Sequence, residues 1–263
     1  VGSSTISLGL GLGGGKASTS SGRPGGGGSF DPSTMSAEFD GTNDELLLGT
    51  SAIDLDTNFT MSAWIKSDYH AGYRPIIGWG GDNFSYPTDA GKIRQLQIVG
   101  GVSLELWGSR ITGSTMLSTN TWYHVAATLS GNDIIIYLNG SQDGSGTLSR
   151  TSFSTSTTYI AGMPPAYSGS FANFDGLIDE VAVCDSVLSA SQIASIYNSG
   201  VPGDLSPFSP VGWWRMGDGT GDTDSGGGAP ANTDVIGTVV DQGSGGNNAT
   251  GTNGPTYSTT VPS

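Results

Sequence analysis

The chain of 263 residues carries a formal net charge of −14, with 44 glycines and only 12% charged residues. Excess negative charge with no Lys/Arg cluster to offset it repels phosphate backbones and excludes nucleic-acid binding, and no run approaches the ~18 consecutive apolar residues of a membrane helix. Abundant Gly, Ser and Thr suit short strands joined by tight turns rather than a helical bundle, and the single cysteine, Cys184, excludes an internal disulfide.

Residues 1–34 are low in complexity, with Leu8-Gly9-Leu10-Gly11-Leu12-Gly13-Gly14-Gly15 followed by Ser/Thr-rich sequence and Gly25-Gly26-Gly27-Gly28. Alone, such a segment cannot bury enough apolar surface to offset its ordering entropy, so it reads as an arm or linker. Gly9 to Gly14 match the G-x-G-x-x-G dinucleotide fingerprint in form, but the Ser/Gly/Pro sequence that follows cannot open the helix this fingerprint needs. The plain reading is a flexible tether. The sharper one makes Leu8, Leu10 and Leu12 assembly residues that order against a neighbouring subunit.

From Met35 onward, apolar and polar residues alternate at the period of half-buried strands. Strands are predicted around Ala37–Phe39, Glu45–Leu48, Phe59–Lys66, Pro75–Trp79, Gln95–Val99 and Ser103–Trp107. The strongest signal is central: Thr121–Leu129 and Ile134–Asn139 flank Ser130-Gly131-Asn132-Asp133, which predicts an antiparallel hairpin. Thr158–Gly162 and Asp175–Val183 add two strands. One short helix is expected: Ser189 to Gln192 form a capping box, Ile193, Ile196 and Tyr197 share a face, and Gly200 with Pro202 ends it. The prediction is an all-β, two-sheet antiparallel sandwich over residues 35–205 with one short helix and a Gly-rich N-terminal arm.

Several of these segments occur together in a telling order: Phe39-Asp40-Gly41 with Asp44, Phe59 to Lys66, Trp122 to Ala126, Tyr137-Leu138-Asn139-Gly140, Tyr159 to Gly162, and Phe174 to Val181 with Leu188-Ser189. That order resembles the laminin G-like, pentraxin-like branch of the concanavalin A-like jelly rolls, a domain type also found in structural proteins of tailed bacteriophages. The resemblance covers about residues 36–200. It implies two stacked antiparallel sheets and binding or scaffolding more often than catalysis. Residues 206–263, with Val211 to Asp218, Val239 to Gln242 and Gly243 to Thr250, look like the stretch that precedes the Phe-Asp-Gly strand in that family. Here they come last, so they are expected to complete the same sandwich in permuted order, or else that of a neighbouring subunit. Trp213 and Trp214 are accordingly candidate assembly residues.

No catalytic residue is assigned. His70 and His124 lack any context marking a base, the E-x-D-x-x-E pattern of related jelly-roll glycosidases is absent, and Asp179 and Glu180 point to opposite faces if the strand is regular. The resemblance places a calcium ion beside the Phe-Asp-Gly turn and the Ile-Asp-Glu strand, which here implies Asp40, Asp44 and Asp179; turn-forming bonds from Asp40, Asn43 and Asp44 are the equal alternative. Tyr69, Tyr73, Trp79, Phe84, Tyr86 and Tyr167 could stack on sugars, though Trp79 and Phe84 read first as core or interface anchors.

The arm, the acidic sandwich and the Trp-Trp-Arg-Met segment together look like a virion protein of a tailed phage. The expected function is therefore a non-catalytic structural subunit in the virion, binding copies of itself or other virion proteins. The alternative is an extracellular carbohydrate-binding module that takes surface glycans.

Overall fold

Strand alternation decides where each side chain goes in the computed structural model, which describes residues 30–50, 53, 55–80, 94–106, 109–149, 157–162 and 173–263. The strands are β1 (Ser36–Asp40), β2 (Glu45–Thr50), β3 (Asn58–Ser67), β4 (Arg74–Gly80), β5 (Arg94–Val99), β6 (Gly101–Glu105), β7 (Arg110–Thr112), β8 (Trp122–Ser130), β9 (Asp133–Leu138), β10 (Ser141–Thr147), β11 (Thr157–Ile160) and β12 (Asp175–Cys184). After helix α1 (Ala190–Tyr197) come β13 (Gly212–Trp214), β14 (Thr223–Asp224), β15 (Ile236–Val239), β16 (Ala249–Thr252) and β17 (Thr256–Ser258).

Sheet A runs β10-β9-β8-β3-β12-β1-β17 with β13 also on β12, and sheet B runs β14-β15-β16-β2-β11-β4-β5-β6-β7. The two sheets stack as an antiparallel sandwich. Their facing sides enclose one core that includes Phe39, Leu46, Phe59, Met61, Ile77, Trp79, Leu96, Leu104, Ile136, Ile178 and Trp214. The predicted hairpin is β8–β9, closing at Ser130↔Asp133.

The C-terminal residues supply strands to both sheets. Trp213 and Trp214 pair β13 with Ala182 and Val181 of β12, β17 pairs with β1, and β16 pairs with β2. Both tryptophans are buried within their own chain: Trp214 lies in the core and gives its indole N–H to the Asn247 carbonyl at 2.9 Å. Aspartates organise the Gly-rich loops between these strands. The Asp241 carboxylate accepts the amides of Trp213, Gly243 and Asn247 at 2.8 Å each, and Asp222 accepts those of Gly217, Gly219 and Val240.

Two features escape the alternation rule. Residues Ser141–Thr147, polar and Gly-rich, and the three-residue segment Arg110–Thr112 nonetheless form β10 and β7, the edges that close one side of the sandwich. Gly144 permits that approach, because a Cβ there would sit 3.0 Å from the Thr112 carbonyl, and Asp143 clamps the join by accepting from Ser114 and Thr115. The helix also stops earlier than Gly200: Asn198 caps it in a left-handed conformation at φ 46° and Ser199 follows at φ 60°, so Asn supplies the turn expected of Gly. The Ser189–Gln192 capping box is present as predicted.

Helix α1 covers the outer face of sheet A, packing Ile193 and Ile196 on Ala126, Tyr137, Ala182 and Cys184. Under it Trp64, His124 and Tyr197 form a three-ring cluster, with Trp64 centred 5.5 Å from His124 and 5.7 Å from Tyr197. The imidazole is buried with neither ring nitrogen bonded, and burial depresses its pKa to about 3.

Beside this cluster β12 is irregular. Its register with β3 shifts between Asp179 and Ala182, and Glu180 adopts φ 47°. That bend undoes the simple expectation of opposite faces for Asp179 and Glu180: both are buried, and the Asp179 carboxylate accepts the Glu180 amide at 2.7 Å. The Glu180 carboxylate accepts from Ser33 at 3.0 Å, from the Trp213 indole at 2.6 Å and from Arg215 at 3.0 Å. Arg215 also lies 4.6 Å over the Phe30 ring and bonds to the Asp31 carbonyl, while Asp218 accepts the amides of Thr34 and Met35. Residues 30–35 are thereby strapped onto the 213–218 segment. Burial raises both carboxyls above the usual range, and Arg215 pulls Glu180 back down.

Removing the cation strands a buried anion, so Arg215→Met should cost about 3 kcal/mol in urea unfolding, with part of the loss recovered in the Glu180→Gln, Arg215→Met double variant. His124 supplies a pH signature. Its lowered pKa means the folded state favours the neutral ring, so stability falls as pH drops from about 6.5 towards 3. His124→Phe should remove that dependence. Relative to wild type, it should gain about 1.4 kcal/mol per pH unit across that window in urea midpoints at pH 7, 5 and 4.

Candidate functional site

The resemblance pointed first to an acidic calcium site. Asp40 and Asp44 do meet, but through the backbone: Asp40 accepts the amides of Thr42 and Asn43, and Asp44 accepts the amide of Asp40 at 3.1 Å. Asp179 stands elsewhere, four residues along β12 from Asp175, the register partner of Asp40. With ~3.4 Å of rise per residue the separation is about 14 Å, too far for one cation to join all three. Among the described residues no three His, Cys, Asp or Glu side chains gather as a metal site. The implied triad does not fit one calcium ion, and Asp40 and Asp44 work here as turn-formers.

A different constellation lies on the outer face of sheet B. In β5 and β6, Leu96, Ile98, Val102 and Leu104 enter the core, so Gln95, Gln97, Ser103 and Glu105 take the opposite side. Register then lines up two rows across the strands. The first is Leu47, Tyr159, Gly78, Gln95, Glu105 and Arg110; the second is Pro75, Gln97, Ser103 and Thr112. Gln95 donates to Gln97 at 2.7 Å, Gln97 donates to Glu105 at 3.3 Å, and Arg110 lies 3.8 Å from the Glu105 carboxylate. Arg110 also donates to the Tyr73 hydroxyl at 3.2 Å, its guanidinium carbon 5.2 Å from the Tyr73 ring centre. Tyr73 leads into β4, so this contact crosses above β5 and β6, the strands that carry the amides and the serine.

These polar side chains are buried: Gln95 is 3% exposed, Gln97 1%, Ser103 0% and Glu105 8%. The Ser103 hydroxyl has no hydrogen-bond partner. A sheet face that served packing alone would carry apolar residues here, since an unpaired buried hydroxyl costs about 1–3 kcal/mol. The arrangement supplies amide donors and acceptors, one carboxylate and one hydroxyl in a line, bridged by a Tyr–Arg pair. It does not supply paired catalytic carboxylates. Glu45, also on this face of β2, stands four strand spacings from Glu105, about 19 Å, where glycoside hydrolysis needs about 5–10 Å.

Comparison with known families places this sandwich. A laminin G-type family model, described as the concanavalin A-like lectin/glucanases superfamily, matches residues 40–194. The chain belongs to that superfamily. Solved structures agree on the fold. A candidate carbohydrate-binding protein from Bacteroides ovatus aligns with 88% of this chain at 20% identity and a TM-score of 0.61. The alignment spans 61% of that protein's own length. The CBM40 domain of the Ruminococcus gnavus IT-sialidase, solved with α2,3-sialyllactose, aligns with 62% of this chain and 96% of that one at 14% identity and TM-score 0.52. The heptameric SAP-like pentraxin of Limulus polyphemus covers 64% of this chain and 84% of its own at 19% identity and TM-score 0.51. No curated protein matches the chain.

Within this concanavalin A-like domain the aromatic candidates separate. Trp79 is a core residue, set edge-on to Phe59 at 5.4 Å. Tyr69 is exposed and carries Arg74 4.7 Å over its ring, while Tyr73 belongs to the bridge described above. Phe84, Tyr86 and Tyr167 lie outside the described residues, as do Leu8, Leu10 and Leu12. Sequence reasoning counted Gln95, Gln97, Ser103 and Glu105 only as strand alternation; the available signal was that their polar partners are amides rather than the Ser and Thr that dominate elsewhere.

Ser103→Ala tests the unpaired hydroxyl directly. Its loss should leave the unfolding free energy unchanged or raise it by up to ~1 kcal/mol in urea titration. A drop of 1 kcal/mol or more would mean that Ser103 already serves the fold.

Proposed function

We propose that this domain is a non-catalytic, lectin-like carbohydrate-binding module, working outside the cell, whose glycan docks on the outer face of sheet B at the Tyr73–Arg110–Glu105 bridge. The observation that carries this reading is the solvent-facing bridge in which the Arg110 guanidinium, its side chain 36% exposed, is held by Glu105 and by the hydroxyl and ring of Tyr73. Sugars are recognised through hydroxyls that donate and accept together, and planar amides and carboxylates match them while an aromatic ring takes the apolar sugar face. The fold relatives support it: the Bacteroides ovatus protein is described as a carbohydrate-binding candidate, and the Ruminococcus gnavus domain was solved with a sialylated sugar. These relatives favour glycan binding over the structural-subunit role to which the sequence first pointed.

Immobilised polysaccharides and an oligosaccharide array, followed by calorimetry, test the proposal. Wild type should retain at least one glycan, and Tyr73→Ala and Arg110→Ala should weaken it about tenfold or more while melting temperatures stay within a few degrees, since each lost contact to the sugar is worth ~1–3 kcal/mol. Retention of no glycan, or equal affinity in both variants, defeats the assignment to this face.

A further inference from the structure

We infer that the glycan is an extended chain rather than a single terminal sugar, running from the Tyr73–Arg110 bridge along the loop that joins β3 to β4 to a second contact on the Tyr69 ring; the inference rests on the glycan-binding reading above. Tyr69 is 49% exposed and lies four positions before Tyr73. Four residues span at most ~14 Å, so the two rings stand within the length of a short oligosaccharide. Each ring is backed by an arginine: the guanidinium carbon of Arg110 lies 5.2 Å from the Tyr73 centre, and that of Arg74 lies 4.7 Å from the Tyr69 centre. Arg74 is buried, so the solvent side of the half-exposed Tyr69 ring is left for the apolar face of a sugar.

The loop is fixed before any sugar arrives. The Ser67 hydroxyl donates to the Tyr69 carbonyl at 2.8 Å, the Asp68 amide donates to the Asp175 carbonyl at 2.9 Å, and His70 Nδ1 lies 3.1 Å from the Leu117 carbonyl. Arg74 beneath the ring is itself held by the Asn173 carbonyl at 2.9 Å. A ring presented on a fixed loop loses little freedom on binding, so most of its contact energy reaches the affinity. The His70 link also joins this loop to the one that carries Met116, which is 74% exposed. Tyr69 and Met116 are the two most exposed large apolar side chains among the described residues, and they fall on loops that one hydrogen bond connects. A second contact to the same glycan comes without a second loss of translational freedom, so affinity rises with chain length.

The test is calorimetry on the full chain with ladders from mono- to hexasaccharide of β1,4-linked galactose, glucose, mannose and xylose. In at least one ladder the hexasaccharide should bind about tenfold or more tightly than the monosaccharide. Tyr69→Ala should remove most of that gain, and Tyr69→Phe, which keeps the ring, should preserve it, with circular dichroism confirming the fold of both variants. Equal affinity along every ladder that binds, or a gain that survives Tyr69→Ala, overturns the extended-chain reading and leaves glycan binding standing. Binding by no member of any ladder overturns it as well, and together with an array that retains no glycan overturns glycan binding itself.

Discussion

Everything on sheet A depends on how the Glu180 carboxylate is satisfied. Its position is set by a left-handed residue in a bulged strand, an arrangement that costs about 1–3 kcal/mol and persists only where the surroundings over-determine it. Ser33, Trp213 and Arg215 are those surroundings. They come from segments about 180 residues apart, so a single buried anion ties the N-terminal strap and the Trp213–Trp214 strand to the middle of the sheet.

That anchoring divides the labour between the sheets. The outer side of sheet A is consumed by helix α1, by the Trp64–His124–Tyr197 cluster and by the Phe30–Trp213 stack, which lies 6.1 Å centre to centre. Sheet B receives no helix among the described residues and keeps a polar outer side. Two sheets drawn from the same alternating pattern thus end with different outer chemistry, because the hydrophobic helix and Trp213 of β13 are placed on the outer side of sheet A while Trp214 enters the core.

Much of this was legible beforehand. The β8–β9 hairpin, β3, β12 and the capped helix follow from periods of two and 3.6 that no tertiary contact has to override, and the superfamily follows from their order. The acidic residues were harder. A chain with so many aspartates suggests metal ligation, yet Asp40, Asp143, Asp222, Asp224 and Asp241 direct their oxygens to backbone amides of Gly-rich turns. Spacing alone does not distinguish a carboxylate that serves its own loop from one that awaits a cation. The edge strands β7 and β10 were invisible for a related reason: β7 is only three residues long, and the Ser/Gly-rich residues of β10 have no strand preference and approach β7 because Gly144 and Gly146 leave room for it.

The sheet B face was readable only as alternation, and register gives it meaning. Gln95 opposite Glu105 and Gln97 opposite Ser103 could each be an ordinary polar strand position, because exposed polar residues are free to vary. Once all four are buried, that freedom is gone. Replacing Ser103 with valine would suit a β-sheet better and leave no hydroxyl unpaired, so stability does not account for that serine. Gln95, Gln97 and Glu105 instead satisfy one another, with Gln97 accepting from Gln95 and donating to Glu105, so the three form one hydrogen-bonded chain across β5 and β6.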